Sequence, residues 1–376
     1  MINGQLAGTG QTVVIVDAFG SPTVASDLAT YSREFGLPPA TLNIYYPGGK
    51  PSFDLSNSNE VGWAEETSLD VQTVHGLAPG ATIDLVVAAS NYGNVLNNAE
   101  QYAVSNHLGA VMSMSFGSDE AAIAGGGNNL QLQQAEAIYQ QAATDGMSVF
   151  ASAGDGGASD GYAVANALFP ASDPLVTAVG GTDLFVGNSG SYKSETVWND
   201  TDPSLCPFGC QYGPFGATGG APSVLFGTPS YQAGVTGYSM RTTSDVAFNA
   251  SVYTATMIYL GFLGGSNNGF YFFGGTSEGA PSWSAITADL DQAMASVGRG
   301  PLGEANPTLY KLAAVGKTYG ADFRDVTVGN NQDPYPTAPG FAASAGYDLP
   351  TGLGTPVVTG LLGSLAPKAT YSLRFP

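Results

Sequence analysis

The stretch "TVVIVDAF", residues 12–19, decides the fold. It is a continuous apolar run, rich in β-branched residues and carrying one acid near its end, which is typical of a buried strand in a parallel sheet. Apolar residues then recur at helical spacing over 24–35, and Gly36 is expected to end that helix. A strand followed directly by a helix is the unit from which parallel α/β sheets are built.

The same alternation continues along the chain. Further strands are predicted at 82–89, 110–116, 147–154 and 175–181, and further helices from the end of the second strand to about Asn106 and over 130–144. Residues 183–240 are dominated by Gly, Pro, Ser, Tyr and Asn, and indicate loops and short strands lying on the main sheet. The fold class is therefore α/β, with a mostly parallel central sheet flanked by helices.

The composition limits the classes of partner. Only 11% of the 376 residues are charged, against about a quarter in typical globular domains. Thirty acids face ten bases, for a net charge of −20, which disfavours nucleic acid and anionic membrane surfaces as partners. Near about pH 3–4 many carboxylates would be protonated and their mutual repulsion would fall, so the charge balance suits an acidic medium. An ordinary acidic secreted protein would have the same balance.

Two terminal and membrane signals are missing from the sequence. The apolar stretches near 82–90 and 252–263 are shorter than the roughly 20 residues that a spanning helix needs. The N-terminus "MINGQLAGTGQ" has neither a basic start nor an apolar run, so we expect an intracellular protein or a mature chain that has lost its leader.

The two cysteines, Cys206 and Cys210, fall in "CPFGC" within a Pro/Gly-rich loop. A disulfide that closes this small loop would indicate an oxidising compartment, and two free thiols are the alternative.

The stretch "FFGGTSEGAP", residues 272–281, is typical of a nucleophile at the start of a helix. A serine such as Ser277 needs a group that takes its proton, yet the chain has only two histidines, His75 and His107. Two acids offer a different base. Glu66 and Asp70 are four residues apart and share one face of a predicted helix, although an ordinary acidic helix surface has the same pattern.

Two strand ends carry further candidates. Asp155 follows the strand in "FASAGDGG", where α/β enzymes place functional groups, and a turn-stabilising aspartate is the alternative. Ser115, Phe116 and Gly117 end the strand in "SMSFG" and could pair with an extended peptide, or could be a simple exit from the strand.

Together these segments resemble the sedolisins, or serine-carboxyl peptidases. The resemblance rests on "VVIVDAFG", the Glu66-xxx-Asp70 pair before "LAPGA", "SMSFG", "ASAGD", "FPASDPLVTAVGGT" and "GGTSEGAP" in this order, and it covers residues 10 to about 360. It implies a subtilisin-like three-layer fold and an acid-active endopeptidase or tripeptidyl-peptidase. We expect one catalytic domain over 1–365, with a C-terminal tail over 366–376.

The resemblance also implies roles for individual residues. Ser277 matches the nucleophile, Glu66 the general base and Asp70 the acid that supports the base. Asp155 matches the acid of the oxyanion hole, and Asp17 a further carboxylate of the proton network. Ser115, Phe116 and Gly117 would bind substrate.

The chemistry agrees with these roles. A histidine base, with a pKa of about 6.5, would be protonated at about pH 3–4, whereas a glutamate with a pKa near 4.3 stays partly available. Asp155 can donate a hydrogen bond to an oxyanion only when it is protonated. We therefore expect peptide hydrolysis to peak at about pH 3–4 and to vanish by about pH 7.

The tail over 320–356, with "FRDVTVGNN" and "SAGYDLPTGLGTP", resembles the family's calcium site. The implied ligands of one Ca²⁺ ion are the side chains of Asp325 and Asp348 and the carbonyls of Val326, Ser344 and Gly346. A turn-rich loop capped by aspartates is the alternative.

Other readings compete with the main one. A subtilisin-type triad of Asp17, His75 and Ser277 has the right chain order, and an inactive homologue that acts as a binding protein is also conceivable. A pepsin-like aspartic protease is disfavoured because the two Asp-Thr/Ser-Gly motifs are missing. Glu278 cannot be the base, since it points about 100° away from Ser277 on the helix, but it could touch substrate.

The sequence thus predicts a secreted, monomeric enzyme for protein or peptide substrates, with no nucleic-acid or membrane partner. The resemblance also implies an N-terminal prodomain before maturation.

Overall fold

A computed structural model describes residues 6–126, 129–188, 190–201, 215–316, 319–332 and 338–369. Cys206 and Cys210, and with them the disulfide prediction, lie outside the described residues.

The described chain alternates strands and helices. The strands are β1 (Thr12–Ala18), β2 (Thr41–Tyr45), β3 (Thr82–Ala88), β4 (Val111–Met114), β5 (Ser118–Asp119), β6 (Ser148–Ser152), β7 (Leu168–Phe169), β8 (Thr177–Val186), β9 (Tyr192–Val197), β10 (Pro222–Gly227), β11 (Met240–Thr242), β12 (Val246–Asn249), β13 (Thr256–Leu260), β14 (Gly269–Phe273), β15 (Phe323–Arg324) and β16 (Thr355–Pro356). The helices are α1 (Val24–Glu34), α2 (Ser58–Leu77), α3 (Gly93–Ser105), α4 (Glu120–Gly126), α5 (Asn129–Thr144), α6 (Thr276–Ser296), α7 (Ala305–Ala314), α8 (Tyr319–Asp322) and α9 (Val358–Leu365).

Eight strands form the central sheet. Seven of them lie in the order β12-β8-β6-β4-β1-β3-β2 and pair in parallel, and β9 adds to β8 in antiparallel fashion. The predicted α/β class with a mostly parallel sheet is confirmed. The predicted strand set was incomplete, because it lacked β2 and β12 and ended β8 too early. β2 is a partly exposed edge strand with a mixed polar pattern, and β12 has only four residues, so neither gives a strong apolar run.

Alternation along each strand divides the core between the two faces of the sheet. Val13 and Ile15 of β1 pack with helices α1, α2 and α6 on one face, whereas Val14 and Val16 pack with α3 and α5 on the other. Because both faces are covered, the strands read as continuous apolar runs, as the first stretch of sequence indicated. The predicted three-layer arrangement is confirmed.

The sheet register brings three strand ends to one level. Val16 of β1 pairs with Met114 of β4, and Met114 pairs with Ala151 of β6. Side chains that follow these strands therefore meet at the same edge. Helices α2 and α6 pack against each other above this part of the sheet, which brings the middle of α2 to the start of α6.

The predicted domain boundary at residue 365 stays a prediction. Helix α9 ends at that residue, and Ala366 is still buried in the core. Among the described helices, none combines the length and apolar character needed to cross a membrane.

Candidate active site

Ser277 lies in the first turn of α6 and is half-buried. Gly275, two residues before the serine, has a φ of 103°, a left-handed conformation that favours glycine. A Cβ on Gly275 would lie 2.6 Å from Oδ2 of Asp155. A glycine is therefore required both by the turn and by the close approach of the neighbouring acid, which explains the Gly-Gly-Thr-Ser pattern physically.

Glu66 lies on α2 and faces this helix start. Burial raises the pKa of Glu66 above its ordinary value, and negative charge on Asp17 and Asp155 contributes to this rise, while the nearby hydroxyls of Ser277 and Ser115 act in the opposite direction. The structure thus brings the predicted nucleophile and the predicted base together.

Asp70 lies one turn further along α2 and is fully buried. Its Oδ1 accepts a hydrogen bond of 2.9 Å from the Ser115 hydroxyl, which also lies 3.2 Å from the carbonyl oxygen of Ser277. Burial raises the pKa of Asp70 well above its ordinary value, and the charges of Asp17 and Glu66 add to the effect. The sequence analysis predicted that Ser115 contacts substrate and missed its hydrogen bond to Asp70. A serine that follows a strand has no sequence pattern that indicates such a bond.

Asp17, at the end of β1, completes the carboxyl group cluster. It is fully buried, and burial raises its pKa to about 7, an effect that the neighbouring Thr67 hydroxyl partly offsets. Three buried acids within interaction distance cannot all carry charge, so they must hold protons between them.

Asp155 follows β6 at the level of the serine. Its Oδ1 accepts two hydrogen bonds from Thr276, at 2.8 Å from the backbone N–H and 2.7 Å from the hydroxyl. The same Thr276 hydroxyl accepts the N–H of Gly154 at 3.0 Å. Burial of the carboxyl group raises the pKa of Asp155 even though the residue has surface open to solvent. Thr276 is a second residue that sequence reasoning missed, although it stands inside the quoted motif.

The two histidines lie elsewhere. His75 is fully buried in the last turn of α2, and its Nε2 lies 3.0 Å from the Pro38 carbonyl oxygen. Nine residues of helix put it about 13 Å beyond Glu66 along the axis. The structure gives the alternative triad no support. His107 is exposed, and its Nδ1 lies 3.5 Å from Oδ2 of Asp145.

Glu278 is buried, which differs from the suggestion that it touches substrate. Its Oε2 accepts a hydrogen bond of 3.3 Å from Asn249, and burial raises its pKa to about 8. The side chain points into the protein because α6 lies on the sheet and turns this position inward.

Phe116 and Gly117 directly follow Ser115 at the end of β4. Phe116 is half-buried, with its ring centroid 6.2 Å from that of Trp63 on α2. Gly117 is exposed, and a Cβ there would lie 3.1 Å from the Leu168 Cβ. These residues are open enough for contact with a ligand.

Two hydrogen bonds connect four of the five predicted calcium ligands, Asp325, Gly346, Asp348 and Ser344. Oδ2 of Asp325 accepts the N–H of Gly346 at 3.0 Å, and Oδ2 of Asp348 accepts the N–H of Ser344 at 2.9 Å. Within the part of the chain that the structure describes, no group of three or more His, Cys, Asp and Glu side chains could hold a metal. Two carboxylates with nearby loop carbonyls still fit Ca²⁺, which accepts carbonyls and water as ligands.

Comparison with known proteins assigns the chain to a family. Residues 54–305 match the sequence pattern of the subtilase family. The chain belongs to the subtilase family. The resemblance to the sedolisins is confirmed within it. This subtilase is 33% identical to kumamolisin of Bacillus sp. (strain MN-32) over 382 residues, which cover 98% of this chain and 62% of kumamolisin. It is 32% identical to sedolisin of Pseudomonas sp. (strain 101) over 361 residues, with 92% and 56% covered.

Solved structures agree with the sequence comparison. Pseudomonas sedolisin, described as a serine-carboxyl proteinase in complex with pseudo-iodotyrostatin, superposes with a TM-score of 0.80 and 28% identity, covering 97% of this subtilase and 95% of that chain. A lanthipeptide protease matches with a TM-score of 0.58 at 13% identity, with 96% and 90% covered, and supports the fold alone. This subtilase spans less than two thirds of the length of the two curated relatives.

Proposed function

We propose that this chain is an acid-active serine-carboxyl endopeptidase. The proposal rests on one observation: the half-buried Ser277 is surrounded by carboxyl groups with raised pKa values, and both histidines lie elsewhere. Membership of the subtilase family and the similarity to kumamolisin and sedolisin support it. The substrates would be proteins or peptides.

Ser277 Oγ would attack the carbonyl carbon of the scissile peptide bond while its proton passes to the ionised Glu66. Glu66 would then give that proton to the leaving amine as the C–N bond breaks, which leaves an acyl-enzyme. A water molecule would attack the acyl group in the same way and restore the serine.

Asp155 would stabilise the negative oxygen of the tetrahedral intermediate. Since its Oδ1 already accepts two hydrogen bonds from Thr276, a proton on this carboxyl group belongs on Oδ2. Oδ2–H would then donate to the oxyanion together with the backbone N–H of Ser277, whose place in the first turn leaves it without an intrahelical acceptor.

Asp70 and Asp17 would hold the remaining protons. The active form needs one negative charge, on Glu66, and protons on its neighbours. The Ser115 hydroxyl fixes the Asp70 carboxyl group, so Asp70 can orient Glu66 and share a proton with it.

The rate should follow a bell-shaped pH profile with an acidic maximum. Below the maximum Glu66 gains a proton and loses its function as a base. Above it the proton on Asp155 is lost, and the ionised group repels the oxyanion. Because burial raises the pKa values of both Glu66 and Asp155, both limbs should be displaced above the ordinary carboxyl pKa of about 4. Initial rates with a quenched fluorescent peptide between about pH 2 and 9 would test this, and a maximum at neutral pH would contradict the glutamate base.

We also propose one calcium ion, held by the carboxylates of Asp325 and Asp348 with the carbonyls of Val326, Ser344 and Gly346. The ion would join the two loops and neutralise both acids, so its role would be structural.

The calcium proposal predicts a ligand-dependent melting temperature. Calcium should raise the Tm of the wild type relative to chelator, on the order of 10 °C, because a ligand that binds only the folded state stabilises it. Asp348→Ala should remove most of this difference, whereas Asp322→Ala, a nearby acid outside the proposed ligand set, should keep it. Equal Tm values of the wild type with and without calcium, measured calorimetrically, would contradict the site.

Secretion into an acidic medium, synthesis with an N-terminal prodomain and a monomeric state complete the proposal. They follow from the resemblance to the sedolisins and from the net charge of −20.

A further inference from the structure

Two aromatic side chains, Phe215 and Tyr253, form a pair that has no part in the chemistry described above. Their ring centroids lie 5.6 Å apart in an edge-to-face arrangement. Phe215 keeps 57% of its surface exposed, and Tyr253 is half-buried. Aromatic residues, Phe and Tyr among them, are enriched at contact surfaces.

Phe215 belongs to a segment that packs closely against the backbone of Asp155. The next residue, Gly216, is so close that a Cβ there would lie 2.6 Å from the Asp155 carbonyl oxygen and 2.9 Å from the buried Trp198 ring. The N–H of Ala217 donates to the same carbonyl oxygen at 3.0 Å. The position of the Phe215 ring is therefore set by the acid proposed for the oxyanion hole.

Tyr253 belongs to a segment that packs closely against Gly274 and Gly275, which precede the nucleophile. The N–H of Gly275 donates to the Ala250 carbonyl oxygen at 2.5 Å. A Cβ on Gly274 would lie 2.7 Å from the Val252 nitrogen. The aromatic pair thus connects the loop of the oxyanion acid with the loop of the nucleophile.

Two buried acids support the pair from below. Asp200 accepts a hydrogen bond from the backbone N–H of Phe215. Asp183 lies beside the Ser251 hydroxyl, whose oxygen accepts the N–H of Tyr253 at 3.2 Å. Both acids are almost fully buried, and burial raises the pKa of Asp183 to about 7 and that of Asp200 to about 6. Buried acids are costly to keep, and here both lie next to the backbone that carries the two rings.

The sheet order shows which part of a substrate would reach the pair. β4, which leads to Ser115–Gly117, lies on one side of β6, and β8 and β12 lie on the other. Tyr253 follows β12. Phe215 stands two residues before Ala217, which pairs with Gly156 on one side and with Asn199, after β9, on the other. If the acyl part of a peptide lies along Ser115–Gly117, the chain beyond the scissile bond passes over the aromatic pair.

We propose that Phe215 and Tyr253 form a subsite for an apolar or aromatic side chain on the leaving-group side of the scissile bond. The inference rests on the proposed peptidase function and names a determinant of its specificity. The rings offer a flat apolar surface, and no charged group of the pair itself would repel such a side chain.

Two pairs of quenched fluorescent peptides test the subsite. Each pair differs only in Phe against Ala, placed first or second after the scissile bond. The wild type should cleave one of the Phe peptides with a kcat/KM about 10–100-fold above its Ala partner, the range that an apolar pocket discriminates. Phe215→Ala should reduce this ratio to about 1–3, mainly through KM, and Phe215→Tyr should restore it. Tyr92→Ala, which removes another exposed aromatic ring, should leave the ratio unchanged.

The other outcomes are distinct. If Phe215→Ala lowers kcat/KM for Phe and Ala peptides by the same factor, the ring only supports the fold and the subsite is wrong. If Phe215→Ala leaves both Phe/Ala ratios at their wild-type values, the ring does not contact the leaving-group side and the subsite is wrong. If the wild type cleaves no peptide between about pH 2 and 9, the proposed function fails, and the subsite fails with it.

Discussion

Replacing Ser277 with alanine should lower kcat for peptide hydrolysis on the order of 10⁶-fold, and Glu66→Gln should lower it by at least about 10⁴-fold. The first change removes the nucleophile. The second keeps the shape of the side chain but removes the only carboxylate that the proposed active form leaves ionised, because the neighbouring acids hold protons and the hydroxyls are not bases. Steady-state assays at the acidic maximum would measure both losses.

Two variants serve as controls for this result. Glu65→Gln makes the same chemical change one residue away on α2, at a side chain outside the cluster, and should keep kcat within about threefold, as expected of a substitution away from the reaction. His75→Asn tests the alternative triad. If folded His75→Asn loses as much activity as Ser277→Ala, while Glu66→Gln remains active, the base is the histidine and the present proposal is wrong.

Raising the pH from about 4 to about 7.5 should destabilise the folded protein, with a fall in Tm on the order of 10 °C. Burial raises the pKa of Glu100 and Asp173 to about 7 and that of Glu278 to about 8. A carboxyl group whose pKa is higher in the folded state binds more protons there than in the unfolded chain. Its contribution to the free energy of unfolding is complete below its ordinary pKa near 4 and is lost as the pH rises through its folded-state pKa of about 7–8.

The measurement uses Ser277→Ala, so that self-digestion does not contribute to unfolding. In that background Glu100→Gln should flatten part of the pH dependence, since the amide oxygen can still accept the Tyr139 hydroxyl that now lies 3.0 Å from Glu100 Oε2. Glu34→Gln, at an exposed acid of α1, should leave the pH dependence as it is. A Tm that is equal or higher at about pH 7.5 than at about pH 4 would refute the role of the buried acids.

Much of the fold follows from local patterns. The strands that became β1, β3, β4 and β6 are continuous apolar runs because helices cover both faces of the sheet. β2 and β12 escaped prediction because their membership depends on neighbours far along the chain. The hairpin of β13 and β14 was missed for a similar reason, since its aromatic residues are partly exposed and show no clear alternation.

The candidate site could be predicted only as separate pieces. Glu66 and Asp70 in isolation look like an acidic helix surface, and only the packing of α2 on α6 shows that they face Ser277. Ser115 and Thr276 have the same limitation, because a hydroxyl gains a role only from the acid it meets. Glu278 is the opposite case: its position beside the serine attracted attention, and the helix turns it into the core.

The packing of α6 has one more consequence, for the way in which activity can be lost. A Cβ on Gly279 would lie 2.6 Å from the Val179 side chain of β8, so this helix lies directly on the middle of the sheet. The serine, the two acids of α2 and the acid after β6 therefore belong to one cooperative unit rather than to a mobile lid. The active site should therefore not open while the rest of the core stays folded. The residual activity of a heated sample would then equal the fraction of molecules that are still folded.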